Sequence, residues 1–146
     1  MSFDWSTVRD RSQVLNNPAA ALVNWDITVP QNLAYRIIGF TGLFTTDATV
    51  ANRQILFFHR SRAGIDKAIS GIARAHAAST AYYYSAAIGR TSADLNAWGT
   101  ILIELPEITL YEGETFRIQS INSVNADQWT ISNLTWKEAQ MKDVVK

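Results

Sequence analysis

Cysteine is absent from the 146 residues, histidine occurs twice, and proline three times. Without cysteine there is no disulfide, no thiolate metal site and no cysteine nucleophile. The two histidines, His59 and His76, stand 17 positions apart, a gap that fits neither helical nor hairpin metal spacing. Each is read as a strand histidine with an ordinary hydrogen-bond partner. No nucleophile elbow and no glycine-rich phosphate loop is present. No cofactor and no metal is therefore expected, and the chain is not read as an enzyme. A surplus of one charge is also missing, because thirteen Lys and Arg offset thirteen Asp and Glu. Nucleic acid is then an unexpected ligand, since binding it needs excess cations to displace counterions. A neutral chain also lacks self-repulsion, which favours assembly. No apolar run approaches the roughly 20 residues that span a bilayer. The start, Met1-Ser2-Phe3-Asp4-Trp5, has neither a basic nor an apolar leader segment, so neither membrane nor export is expected.

What is present is apolar and aromatic: 47% hydrophobic residues, with five Trp, five Tyr and six Phe. That is enough for one domain with a sizeable core. Residues 1–20 are polar, punctuated by Asp4, Arg9, Asp10 and Arg11. They are read as an arm, extended or with one short helical turn, which is either a weakly ordered terminus or a latch on a neighbouring subunit with Phe3 and Trp5 as anchors. From Ala21 the pattern alternates: Ala21, Val23, Trp25, Ile27 and Val29 oppose a largely polar face, the signature of a half-buried strand. Residues 34–44 and 53–59 are apolar on both faces, so both faces need a cover. Gly39 and Gly42 predict a bulge or bend within the first of them. The stretch 63–78 is ambiguous, and the surroundings favour a strand over roughly 67–76. Residues 80–88 and 100–105 read as strands and 89–98 as a loop. Pro106 ends a strand, Glu112-Gly113-Glu114 is a turn, and Thr115 to Ile121 follows as a strand. In the last strand Trp129 and Ile131 share a face, which Leu134 and Trp136 restore after a phase slip at Ser132-Asn133. The sum is a single all-β domain over residues 21–138, a jelly-roll-like antiparallel sandwich of about eight strands. Residues 139–146 are expected to form a flexible tail.

Four segments carry a family likeness. They are Val29-Pro30 leading into Tyr35–Phe44, then Thr45-Thr46-Asp47-Ala48-Thr49-Val50-Ala51-Asn52-Arg53, then Leu105-Pro106 with Leu110-Tyr111-Glu112-Gly113-Glu114-Thr115-Phe116, and Asp127-Gln128-Trp129-Thr130-Ile131. In this order they resemble small jelly-roll virion proteins of tailed phages, of the capsid decoration (cement) or head-fibre anchor type. The resemblance implies a structural protein that forms a homo-oligomer, commonly a trimer. Its further partner would be the major capsid protein. It would be made in the host cytoplasm and reside on the capsid surface.

Candidate subunit or capsid contacts are Phe3, Trp5, Phe44, Phe58, Arg60 and Arg62. A second reading is a carbohydrate-binding module or a fibre component for host recognition, with Tyr82, Tyr84 and Trp98 as sugar-stacking residues. Adjacent strand residues point to opposite faces, so Tyr82-Tyr83-Tyr84 cannot form one platform. Trp25, Trp129 and Trp136 are read as core.

Overall fold

The computed structural model describes residues 2–15, 25–71, 76–122 and 126–142. Among them are eleven strands: β1 (Phe3–Leu15), β2 (Trp25–Thr28), β3 (Leu33–Thr45), β4 (Gln54–Arg60), β5 (Asp66–Gly71), β6 (Ala81–Ile88), β7 (Ala93–Leu95), β8 (Thr100–Leu105), β9 (Thr109–Tyr111), β10 (Thr115–Ile121) and β11 (Gln128–Met141). A single 3-10 turn covers Asn96–Trp98. The larger sheet runs β1-β11-β3-β6-β8-β7, with β9 beside the start of β3, and the smaller runs β2-β10-β4-β5. Two sheets enclosing one apolar layer make a β-sandwich, the class expected from the alternation.

Several details differ from expectation. The count exceeds eight by three: β1 in the segment read as an arm, β7 within the loop 89–98, and the short β9 after Pro106. The β6–β8 pair is parallel, reached by a crossover through β7, so the larger sheet is mixed. Residues 3–15 form an edge strand on β11, and β11 itself continues to Met141 into the segment read as a tail. Of the ambiguous stretch, residues 66–71 form β5, while residues 72–75 lie outside the described residues. His76 then makes an isolated bridge to Arg53.

The core is aromatic. Phe40 lies edge-on to Trp25, Phe57 and Trp129, with ring centroids 5.8, 5.9 and 5.5 Å apart. Such pairs add about 0.5–1.5 kcal/mol each beyond the area they bury. The apolar residues on both faces of β3 reach the core through a bulge. Thr135 pairs with Gly39 but Trp136 with Ile37, so Ile38 is an extra residue. Tyr35 and Ile37 on one side of it, and Phe40 and Phe44 on the other, therefore all face inward. Gly42 follows in the same phase, where a Cβ would stand 2.8 Å from both the Phe40 ring and Ser132 Oγ.

The bulge anticipated in β11 lies one residue earlier than the pattern suggested. Thr130 pairs with Leu43 and Asn133 with Thr41, so Ile131 and Ser132 both oppose Gly42. Ser132 takes the inward position, and Ile131 is 73% exposed at a φ of 49°. A left-handed conformation costs a β-branched residue roughly 1–2 kcal/mol. Ile131→Gly should therefore raise stability by about 0.5–1 kcal/mol, read as a higher urea midpoint. A lower midpoint would mean that the side chain makes contacts outweighing its strain.

The outer face of the smaller sheet is covered by its own charges. Arg117 forks onto Asp26 at 2.7 Å through both Nε and a terminal nitrogen, and reaches Asp66 at 3.3 Å. The hydrogen bonds to Asp26 are the main reason its pKa is raised. Because Arg117 lies opposite Phe58 in the register, the guanidinium spans from β2 to β5 beside that half-buried ring.

Candidate functional site

The feature with the most specific construction lies where β1, β3, β9 and β11 meet, on the outer face of the larger sheet. Its floor is two fully buried alanines, Ala34 and Ala139, paired across β3 and β11. Ala34 also pairs with Tyr111 of β9, which sets the tyrosine on one side of the floor. Phe3, paired with Met141, closes the other side. The Phe3 and Tyr111 rings approach to 5.5 Å at a tilt of 38°. Small residues in the floor and large ones at the rim leave a trough.

Trp5 arrives by an irregularity in β1. Between Asp4 and Arg9, five steps of β1 face only two of β11, Gln140 to Glu138. The surplus chain is turned at its start by Asp4, whose Oδ1 accepts the Ser6 amide at 2.9 Å and the Ser6 hydroxyl at 2.5 Å. Bulges of this kind re-aim side chains. Here the result is that Trp5 lies against Arg36, with the guanidinium carbon 3.9 Å from the ring centroid, a cation–π contact that fixes both groups. Arg36 Nε donates to Thr109 Oγ1 at 3.3 Å.

Beneath the floor, the Tyr35 phenol packs on Trp136 with ring centroids 5.2 Å apart. Its pKa is raised, first by burial and then by the Glu138 carboxylate that it hydrogen-bonds. Arg11 of β1 reaches the same carboxylate at 3.5 Å. This brace ties β1, β11 and β3 together under the trough. The open space bounded by Ser2, Phe3, Trp5 and Tyr111 is about 450 Å³.

The opposite end of the sandwich holds a buried ion cluster. Arg53 is 0% exposed and forks onto Asp127, Nε to Oδ2 at 2.7 Å and a terminal nitrogen to Oδ1 at 3.0 Å. The same terminal nitrogen reaches Asp47 at 2.9 Å. Asp127 also accepts the Asp47 amide, and Arg53 carbonyl oxygen accepts the His76 amide at 2.7 Å. His76 is buried, with Nδ1 2.9 Å from the Tyr84 hydroxyl. Every member is held by the others, so the cluster joins the segments around residues 47, 53, 76 and 127 into one rigid end.

The residues singled out in the sequence separate. Phe3 and Trp5 come together, but they anchor β1 on its own chain. Phe44 is 0% exposed against Trp129 and His76, so it is corrected from a contact residue to a core residue; the Ile38 bulge sets its phase. Phe58 is half-buried on the smaller sheet's outer face. Arg60 lies 3.8 Å from Asp66, and Arg62 donates to the Glu112 carbonyl oxygen at 3.1 and 2.6 Å. The sugar-stacking trio is corrected as well. Tyr84 is buried, and Tyr82 packs edge-on to His76 at 4.7 Å, because β6 presents both to the core. Tyr83 is the outward tyrosine at 47% exposure, and Trp98 is 83% exposed on the 3-10 turn. The Tyr83 amide donates to the carbonyl oxygen of Gly99, next to Trp98. His59 lies 3.3 Å from Glu114, within ion-pair reach but out of hydrogen-bond alignment. Arg36, Tyr111, Arg53 and Asp127 were not singled out as site residues by the sequence.

No group of three or more metal-binding side chains occurs among the described residues. No family model, no curated protein and no solved structure matches the chain.

Proposed function

We propose that the chain is a virion structural protein, a capsid decoration domain that assembles with itself, as a trimer, and binds the outside of a phage capsid. The reading rests on the family resemblance, and one structural observation supports it. The outward residues of the strip in the middle of the larger sheet are uncharged themselves, with charge only at its end, where Arg90 donates to Ser85 and Glu104 follows on β8. Thr41, Leu43 and Thr45 of β3 pair with Ser85, Tyr83 and Ala81 of β6. Beyond them, Thr100 and Leu102 of β8 pair with Leu95 and Ala93 of β7. Tyr83 and Leu95 are exposed on this strip, and Trp98 is exposed on the 3-10 turn at its edge, next to the Gly99 whose carbonyl oxygen accepts the Tyr83 amide. Such a face neither repels its own copy nor demands a charged partner, and aromatic residues in a charge-poor patch are the usual centre of a protein interface. A domain that binds only the assembled shell stabilises it by mass action.

The test is solution mass by light scattering, followed by co-sedimentation with undecorated capsids. A mass near three times 16.3 kDa and capsid binding that Trp98→Asp weakens are expected, with the melting temperature unchanged. A monomer at micromolar concentration that does not sediment with capsids would reject the reading.

A further inference from the structure

The trough formed by Phe3, Trp5 and Tyr111 is independent of the uncharged strip and has a different chemistry. We propose that it binds a saccharide, one pyranose ring seated against Tyr111 and Trp5 with its hydroxyls hydrogen-bonded by Arg36.

The trough is lined by Ser2, Phe3, Trp5 and Tyr111, and Arg36 stands beside it against the Trp5 ring, so an aromatic wall and a donor lie next to each other. A pyranose presents a face of C–H groups, which packs on an aromatic ring, and a rim of hydroxyls, which needs donors and acceptors held in place. Tyr111 is 46% exposed, and its hydroxyl makes no hydrogen bond among the described residues. Arg36 has Nε engaged by Thr109, while its two terminal amino groups make no hydrogen bond there. Stacking on Trp5 fixes the plane of this donor fork, so little side-chain entropy is lost when it engages a ligand. The volume of about 450 Å³ lies within the range for small-ligand sites, roughly 300–1,000 Å³.

Other occupants fit less well. A peptide adding as a strand would pair along the outer edge of β1 rather than lie over the trough, whose floor strands β3 and β11 are paired with each other. Lys142 amide donates to Ser2 carbonyl oxygen at 3.0 Å, and Tyr111 amide to Glu114 Oε2 at 2.8 Å. An aliphatic chain would favour a closed aliphatic cavity, whereas this space is open and its walls are aromatic. The Trp5 irregularity in β1 also argues for a constructed site. An edge strand needs no surplus residues to pair with β11, yet these residues carry a tryptophan onto Arg36.

The experiment is saturation-transfer NMR on the full chain with four probes at millimolar concentration: the methyl glycosides of glucose, galactose, N-acetylglucosamine and glucuronic acid. Saturation of ring protons on one face of at least one probe is expected. Tyr111→Ala and Trp5→Ala should each weaken binding by about five- to tenfold, the size of one lost aromatic contact, while Trp98→Ala leaves it unchanged. Tyr111 is half-exposed, so its truncation should leave the melting temperature in place. Arg36→Met tests the donor, with the largest loss expected for the glucuronide. Three outcomes would overturn the proposal: no saturation of any probe, an undiminished response in Tyr111→Ala, or loss only on Trp98→Ala. If no glycoside binds but Tyr111→Ala changes the solution mass, the trough is a contact between copies. Only a loss confined to Trp98→Ala touches the surface proposed for capsid binding; the other outcomes leave that reading standing, so the two readings fail separately.

Discussion

Replacing Arg53 by methionine is expected to lower the unfolding free energy by about 3–5 kcal/mol, the cost of removing one partner from a buried ion pair. Arg53 and Asp127 are both fully buried, joined by bonds of 2.7 and 3.0 Å. The loss comes less from the missing attraction than from the Asp127 carboxylate left behind without its cation. Methionine fills much of the arginine's volume, which keeps a cavity from dominating the result. Arg53→Lys should recover little, because a single ammonium cannot satisfy both Asp127 oxygens and Asp47 together. The double variant Arg53→Met/Asp127→Leu should regain most of the loss, since a buried pair replaced by apolar groups is often neutral. Urea unfolding of the parent, Arg53→Met, Asp127→Leu and the double variant yields the coupling energy directly. An Arg53→Met variant within about 1 kcal/mol of the parent would mean that water or rearrangement reaches Asp127, and that the end of the sandwich is not held by this cluster.

A signal for that cluster was present in the sequence. Arg53, Ile55 and Phe57 share one strand phase, so an arginine falls where the core begins, and a charge in core phase requires a buried partner. Which carboxylate answers it was not legible, because Asp127 lies 74 positions away. The sandwich itself was legible from alternation, in 25–29 and in Ile101, Ile103 and Leu105 above all. The strand at 3–15 was not. An edge strand is paired on one side only and can be polar along most of its length, so Asp4, Arg9, Asp10 and Arg11 gave it the look of a loose arm. The tyrosine run hid its phase for another reason: Tyr82, Tyr83 and Tyr84 are equally apolar. Only Ser85 and Ala86 beyond them, one outward and one buried, settle which side is the core. The trough was out of reach because Trp5, Arg36 and Tyr111 meet only through three strand pairings.

Phe44→Ala is the second large effect, and it decides between the two positions considered for this side chain. Buried against Trp129 at 4.8 Å and edge-on to His76 at 5.1 Å, Phe44 should cost about 3–5 kcal/mol when truncated, from lost burial and the cavity left behind. A folded domain of this length has roughly 7–20 kcal/mol to lose, so the variant should remain folded in water and keep the parent's solution mass. Phe58→Ala, at a half-buried position beside Arg117, should cost only about 1 kcal/mol. Phe44→Ala and Arg53→Met should not add independently, because His76 touches Phe44 and its amide bonds Arg53. The phase of β3 is set by the extra residue Ile38, which brings Tyr35 and Phe44 to the same side. If Phe44→Ala instead kept its stability and lost assembly, the ring would be at a subunit contact, and the bulge at Ile38 would have to be placed elsewhere in the strand.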